Sequence, residues 1–169
     1  MVPPLSRETI ETFAEKVRAC FGLEDRLYIP ILKVVEFIIP QIDDTFVFSV
    51  CDSSELPFEY AKYCPETNEL IVRDDVYNLA YNGNPRHRFT ISHEIGHYFL
   101  HQDVASFSRC TDKARIPAYR DAEWQANVFA SAFLASPRLI YGMTASEVSE
   151  ECGISMQAAE ISLVNSKRG

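Results

Sequence analysis

The spacing of apolar residues in the first third of the chain predicts two helices. From Ile10 to Phe21, apolar side chains recur every three or four residues behind Ser6, a residue type that often caps helices. This spacing is typical of a helix with one buried face. A second, shorter helix fits the apolar run between Pro30 and Pro40.

The next region has the pattern of short strands. Thr45 to Val50 is rich in β-branched and aromatic residues, which favours a strand. Phe58 to Tyr63 and Glu69 to Arg73 flank the turn sequence Cys-Pro-Glu-Thr-Asn and therefore predict a hairpin. We expect the Glu69–Arg73 strand to be an exposed sheet edge along which a peptide could bind.

Helical patterns return in the second half. Asn84-Pro85 resembles a cap followed by a first-turn proline, and the helix that they open should run to about Leu100. Another helix is expected from about Asp121 to Ala135, and Thr144 to Asn165 reads as helix, turn, helix. The pattern predicts an α+β fold, mostly helical, with a small sheet of about three strands.

Charge and cysteine usage narrow the classes of function. The net charge of −8 argues against broad binding to nucleic acid or to an anionic membrane, which require clustered Lys and Arg. The N-terminus lacks the pattern of a signal peptide, and the apolar run Ile31–Ile39 is too short to cross a bilayer. The five cysteines show no CxxC spacing. We therefore expect a cytoplasmic protein with reduced thiols.

Candidate chemistry lies on the helix after Asn84, in the run His-Glu-Ile-Gly-His. On a helix, residues four apart differ by about 40° in direction and by about 6 Å along the axis, so His93 and His97 can bind one zinc ion. Glu94 lies beside them and can serve as a general base without being a ligand. The motif alone could also occur by chance on a surface helix.

The third ligand is less obvious, because His101 and Glu123 both qualify by residue type. His101 continues the four-residue series, but it would lie about 12 Å along the axis from His93. It is better interpreted as a residue that supports a ligand or ends the helix. A helical projection places Glu123 on the apolar face of its helix, where a carboxylate needs a metal or another partner. The alternative is a glutamate that is favoured only by the helix dipole.

Two further residues fit a site at which these helices meet. Asn127 follows Glu123 by one turn and is placed to orient a ligand or a catalytic side chain. Gly96 lies inside the active-site helix, where glycine costs about 1 kcal/mol relative to alanine. We expect it to allow close approach of a neighbouring backbone, with the Glu123 helix as the candidate neighbour.

These motifs together resemble the ImmA/IrrE family of metallo-endopeptidases. The resemblance rests on the stretch from Arg88 to His101, on Glu-x-x-Ala-Asn-x-Phe-Ala from Glu123 to Ala130, and on Leu-Ala-Ser-Pro ending at Pro137. It implies a small zincin-like domain over residues 1–140, followed over 141–169 by helix-turn-helix-like helices packed on it.

The resemblance also implies a function. His93, His97 and Glu123 would hold one Zn²⁺ per chain, with Glu94 as the catalytic base. Such a protein would hydrolyse a peptide bond, and relatives typically act on a helix-turn-helix repressor. The stretch Val148–Leu163 lacks Lys and Arg, which argues against DNA binding by these helices.

Other interpretations stay open from the sequence. The zinc could be structural in a protein that only sequesters a repressor, or the chain could be a transcriptional regulator that binds DNA. Hydrolysis would also need a donor to stabilise the negative charge on the carbonyl oxygen. The candidates for this role are Tyr98, His101, Tyr119 and Arg120.

Overall fold

A computed structural model describes residues 2–102 and 120–167 of the chain. In chain order, its elements are α1 (Arg7–Cys20), α2 (Ile31–Lys33), a π-helical segment (Val34–Ile38), α3 (Ile39–Ile42), β1 (Val47–Cys51), β2 (Ala61–Cys64), β3 (Glu69–Arg73), α4 (Asp74–Tyr81), α5 (Pro85–His101), α6 (Ala122–Leu134), α7 (Pro137–Ile140), α8 (Ala145–Cys152) and α9 (Met156–Ser166). The α+β class, mostly helical with three strands, is confirmed. Within the described residues, no helix is both long and apolar enough to span a membrane.

The three strands form one mixed sheet in the order β1-β3-β2. β1 pairs in parallel with β3, and β2 pairs antiparallel with β3 in the predicted hairpin. The expectation that Glu69–Arg73 is an edge strand is therefore wrong, because β1 and β2 cover its two sides. β2 is the edge that lies beside α5.

The helix between the two prolines is longer than predicted. A π-helical segment, Val34–Ile38, interrupts it, and α3 continues to Ile42 with Pro40 in its first turn. Proline lacks the N–H that the interior of an α-helix needs, and the π-helical segment directly before α3 changes the hydrogen-bond pattern at this point. Pro40 therefore does not end the helix.

Helix α5 packs closely along α6. A Cβ added at Gly96 would lie 3.1 Å from both the Cα and the carbonyl oxygen of Ala126, and 3.3 Å from the ring of Phe129. The predicted close approach of the Glu123 helix is thus present. The aromatic rings of Phe13, Phe99 and Phe129 pack beside this contact and fix the two helices against α1.

A buried arginine connects α5 to the C-terminal helices. Arg88 is 1% exposed, its guanidinium lies 3.9 Å from the ring centre of Tyr28, and it donates to the carbonyls of Cys152 and Gly153 over 3.2 and 3.1 Å. These carbonyls end α8, so the cation caps that helix. The division at residue 140 stays a prediction, while the buried core includes Val148 along with residues of α5 and α6.

Candidate metal centre

Helix α5 places two imidazoles side by side. Asn84 caps the helix by accepting from the N–H groups of Arg86 and His87, and Pro85 takes its first position. One turn separates His93 from His97, and their Nε2 atoms lie 3.0 Å apart. The spacing of the motif is thus converted into two nitrogen donors that face a common point.

Helix α6 brings a carboxylate to the same point. Asp121 caps α6 and accepts from the N–H of Glu123, which fixes this residue in the first turn. The two Glu123 oxygens lie 3.3 Å from His93 Nε2 and 3.4 Å from His97 Nε2. The projection of Glu123 toward α5 is therefore present, but its side chain is 59% exposed at the cleft and does not face the core.

These three groups fit a metal ion. Nitrogen and oxygen ligands of a tetrahedral Zn²⁺, each about 2 Å from the ion, lie roughly 3.3 Å from one another. The distances of 3.0–3.4 Å between the donor atoms agree with this spacing. Among the residues that the structure describes, His93, His97 and Glu123 are the one group of His, Cys, Asp or Glu side chains arranged to hold an ion.

The charges of the site favour a cation. Hydrogen bonds from His93 and His97 lower the pKa of Glu123 well below its ordinary value, so the carboxylate is charged. Burial lowers the pKa of His93, but the hydrogen bond to Glu123 and the nearby Glu94 carboxylate outweigh it, and the net pKa is raised. Glu94 and Glu123 thus surround the imidazoles with negative charge, which a bound cation would offset.

Glu94 lies next to the three donor groups without joining them. Its Oε2 accepts a 2.8 Å hydrogen bond from the backbone N–H of Tyr63 on β2. Burial raises the pKa of Glu94, and the neighbouring histidines lower it by less. A carboxyl group with a raised pKa, held at a fixed point beside a metal centre, is suited to exchanging a proton.

The other ring nitrogen of each histidine also has a partner. His93 Nδ1 lies 2.9 Å from the side-chain oxygen of Asn127, one turn after Glu123 on α6. His97 Nδ1 lies 3.0 Å from His101 Nδ1, and His101 Nε2 lies 2.9 Å from the side-chain oxygen of Gln125. Partners of this kind fix the orientation of imidazoles around a metal.

The donor groups open into a cleft of about 740 Å³ between α5, α6 and β2. His93, Glu94, His97 and Glu123 form one side, and the chain from Glu59 to Glu66, which contains β2, forms the other. An edge strand therefore runs along the cleft opposite the possible metal position. Edge strands can pair with an extended peptide through their free backbone groups.

Comparison with known proteins gives this arrangement a family. The model of the peptidase family M78, described as the IrrE N-terminal-like domain, matches residues 66–163, more than half of the chain. The chain belongs to this family. The matched region contains α5, α6 and the C-terminal helices, and the resemblance to the ImmA/IrrE family in the sequence is confirmed.

A curated relative agrees with this assignment. The chain is 28% identical over 112 residues to the protein named Metallopeptidase ImmA from Bacillus subtilis (strain 168). The aligned part covers 63% of this chain and 63% of that relative, so the match spans less than two thirds of the relative's length.

Three of the four candidates for stabilising negative charge on the carbonyl oxygen lie among the described residues, and they occupy different positions. Tyr98 is 4% exposed, its hydroxyl donates to Asp43 over 2.8 Å, and it does not line the cleft. Arg120 directly precedes α6, where its carbonyl accepts from the N–H of Val2. Tyr119 lies outside the described residues. His101 lines the cleft and also contacts His97.

Three features of the site were not anticipated from the sequence. The backbone N–H of Tyr63 holds Glu94, but a backbone amide carries no residue-specific signal. Gln125 contacts His101. Its neighbours Glu123 and Asn127 were predicted to belong to the site, but Gln125 was not. Asp43 accepts hydrogen bonds from Thr45, Asn68 and Tyr98 and so supports the strand beside the cleft.

Proposed function

We propose that this protein is a zinc-dependent endopeptidase with His93, His97 and Glu123 as metal ligands and Glu94 as the general base. The observation that carries the proposal is the convergence of two histidine Nε2 atoms, 3.0 Å apart, with the Glu123 carboxylate, whose two oxygens lie 3.3 and 3.4 Å from them, beside a held carboxyl group. Two histidines and one glutamate are a donor set that catalytic zinc sites use. Membership in a peptidase family supports the same activity.

The residues of the chain divide the work of hydrolysis. When bound, zinc would supply Lewis acidity for the activation of water and of a peptide carbonyl. Glu94 would accept a proton from the attacking water and then deliver it to the nitrogen of the leaving amine. Because the Tyr63 N–H binds Oε2 of Glu94, Oε1 is the atom that would carry this proton.

Strand β2 supplies a surface for the substrate. Arg73 N–H donates to the Tyr60 carbonyl over 3.1 Å, so Tyr60 and every second residue after it face β3. Ala61 and Tyr63 then direct their backbone groups away from β3. The Tyr63 N–H already binds Glu94, so the backbone groups of Ala61 and the carbonyl of Tyr63 are those with which a peptide can pair. We propose that an extended peptide pairs with this edge, which places its scissile bond against Glu94.

The proposed substrate is a protein, and we favour a helix-turn-helix repressor. This choice rests on the resemblance to the ImmA/IrrE family, whose members typically act on such repressors. We also propose a cytoplasmic location, which suits a repressor substrate and the free state of Cys20, Cys51, Cys64 and Cys152.

The test compares wild type with Glu94→Gln in cells. Newly formed protein N-termini are labelled and sequenced after expression of each variant, so the substrate need not be known in advance. Wild type should generate at least one new N-terminus that Glu94→Gln forms at a rate lower by about 100-fold or more. The matched control is Glu150→Gln, the same change at an exposed position of α8, and this variant should cleave as wild type does.

Metal content separates catalysis from mere binding. Purified Glu94→Gln should retain about one zinc per chain, because Glu94 is not a ligand, whereas His93→Ala should lose it. Undiminished cleavage by Glu94→Gln would reject its role as the base. If Glu94→Gln relieved repression as well as wild type without any cleavage, the protein would be a sequestering module instead.

A further inference from the structure

A chain of hydrogen bonds leads from His97 into the N-terminal segment. Beyond His101 it continues through Gln125, whose Nε2 donates to the carbonyl oxygen of Pro3 over 2.8 Å. Gln125 is fully buried, and His101 is 4% exposed. The segment itself is anchored because Val2 is buried and its N–H donates to the Arg120 carbonyl.

The Pro3 carbonyl decides which way the Gln125 amide faces. A carbonyl oxygen can only accept, so the amide group that meets it must be the NH₂. The amide oxygen of Gln125 then points to His101 Nε2, 2.9 Å away. Because this oxygen can only accept as well, His101 must carry a proton on Nε2.

The proton on His101 in turn determines the state of His97. With its proton on Nε2, a neutral His101 presents an unprotonated Nδ1 to His97 Nδ1 at 3.0 Å. A neutral His97 then donates from Nδ1, which leaves the lone pair of its Nε2 available once a metal ion replaces the hydrogen bond to Glu123. That lone pair points to the centre formed with His93 and Glu123.

We propose that Gln125, oriented by the Pro3 carbonyl, is a positioning residue that fixes the tautomer of His97 through His101 and so prepares Nε2 to bind metal. The proposal rests on the proposed metal centre and extends it to the N-terminal segment.

The first test reads the tautomers directly in the wild-type protein loaded with zinc. Two-bond proton–nitrogen correlation spectra distinguish a protonated ring nitrogen from an unprotonated or metal-bound one. We expect His93 and His97 to carry their protons on Nδ1 and His101 to carry its proton on Nε2, opposite to the two ligands. A His101 ring protonated on Nδ1 would overturn the proposal.

The second test measures zinc affinity by competition with a chelator, in the Glu94→Gln background so that the result is independent of proteolysis. Gln125→Met keeps the length of the side chain but removes both hydrogen-bonding groups, and it should weaken zinc binding by about 10- to 100-fold. Gln125→Glu keeps an acceptor for His101 and should retain most of the affinity. Gln157→Met, an exposed change on α9, is the matched control.

The two Gln125 variants separate positioning from packing. If Gln125 served only to fill the core, Gln125→Glu, which places an ionisable group in a buried site, would be at least as damaging as Gln125→Met. Zinc affinity of Gln125→Met equal to that of wild type, or equal losses in both variants, would refute the role in positioning. Should Gln125→Met fail to fold, the spectra of the wild-type protein still decide the question. Failure of wild type to bind zinc would reject the metal centre itself.

Discussion

The two histidines of the metal centre have the same motif and the same helix but different surroundings. His93 relies on Asn127, an exposed side chain on α6. His97 relies on His101, which is buried and whose own partner, Gln125, is buried as well. We call these the open side and the closed side of the centre.

The contrast indicates how firmly each imidazole is held. Water can replace a lost hydrogen-bonding partner on the open side. On the closed side, loss of one partner leaves a buried polar group unsatisfied, which costs about 1–3 kcal/mol. Asn127 and Gln125 both belong to α6, so the contact of this helix with α5 at Gly96 aligns both sides together.

The largest effect is expected from Glu123→Ala, which removes the donor that both sides share. Zinc affinity should fall by more than about 100-fold, beyond the usual loss for residues that only support a ligand. Chelator competition measures the change, and Glu150→Ala on exposed α8 is the control. A loss smaller than tenfold would mean that Glu123 is not a ligand.

A smaller effect, on both sides at once, is expected from Gly96→Ala. The added Cβ would lie 3.1 Å from the backbone of Ala126, so α6 must shift. Although alanine favours a helix by about 1 kcal/mol, we expect overpacking to lower the free energy of unfolding by about 1–3 kcal/mol. Urea unfolding without metal measures this change in the free energy of unfolding. A gain in stability would show that α5 and α6 can separate at no cost.

Asn127→Ala should affect the open side alone. Because solvent reaches this position, we expect zinc affinity to fall by no more than about tenfold, the low end of the range for such partners. The result should be smaller than that of Gln125→Met measured in the same way. An equal or greater loss would contradict the distinction between the open and closed sides.

The smallest effect on zinc affinity is expected from Asp43→Asn, because Asp43 belongs to neither the open side nor the closed side of the centre. Hydrogen bonds from Thr45, then Asn68 and Tyr98, lower the pKa of Asp43 to about 2, against an ordinary value of 3.8. Its stabilising contribution is thus present above pH 3.8 and lost as the pH falls toward 2. The difference in unfolding free energy between wild type and Asp43→Asn should shrink over that interval in acid titrations. A difference independent of pH would exclude this network as its source.

The parts of the site that could be predicted from sequence are those fixed by helical spacing. His93 and His97 lie four apart, and Glu123 and Asn127 lie four apart on the facing helix, so each pair shares a face whatever the rest of the fold does. Gly96 was informative because it is costly in a helix, and it contacts α6 as expected.

The features that could not be predicted from the sequence depend on contacts between segments that are distant along the chain. The strand order β1-β3-β2 requires a parallel pairing whose partner is not specified by the alternation of either strand. For that reason, the sequence pattern could not show that Glu69–Arg73 is central. Pro3 and Gln125 are 122 residues apart, and neither a proline carbonyl nor a buried glutamine signals its partner.

The hydrogen bonds from Arg88 to the end of α8 also determine how far the chain can be shortened. Arg88 lies on the same helix as His93, and its acceptors at residues 152 and 153 come from the C-terminal segment. A chain shortened at residue 140 would remove both acceptors together with the helix end that Arg88 caps, so we expect it to lower the free energy of unfolding. The last helices therefore support the helix that carries His93, and we expect a fragment that keeps the metal centre intact to extend beyond Gly153.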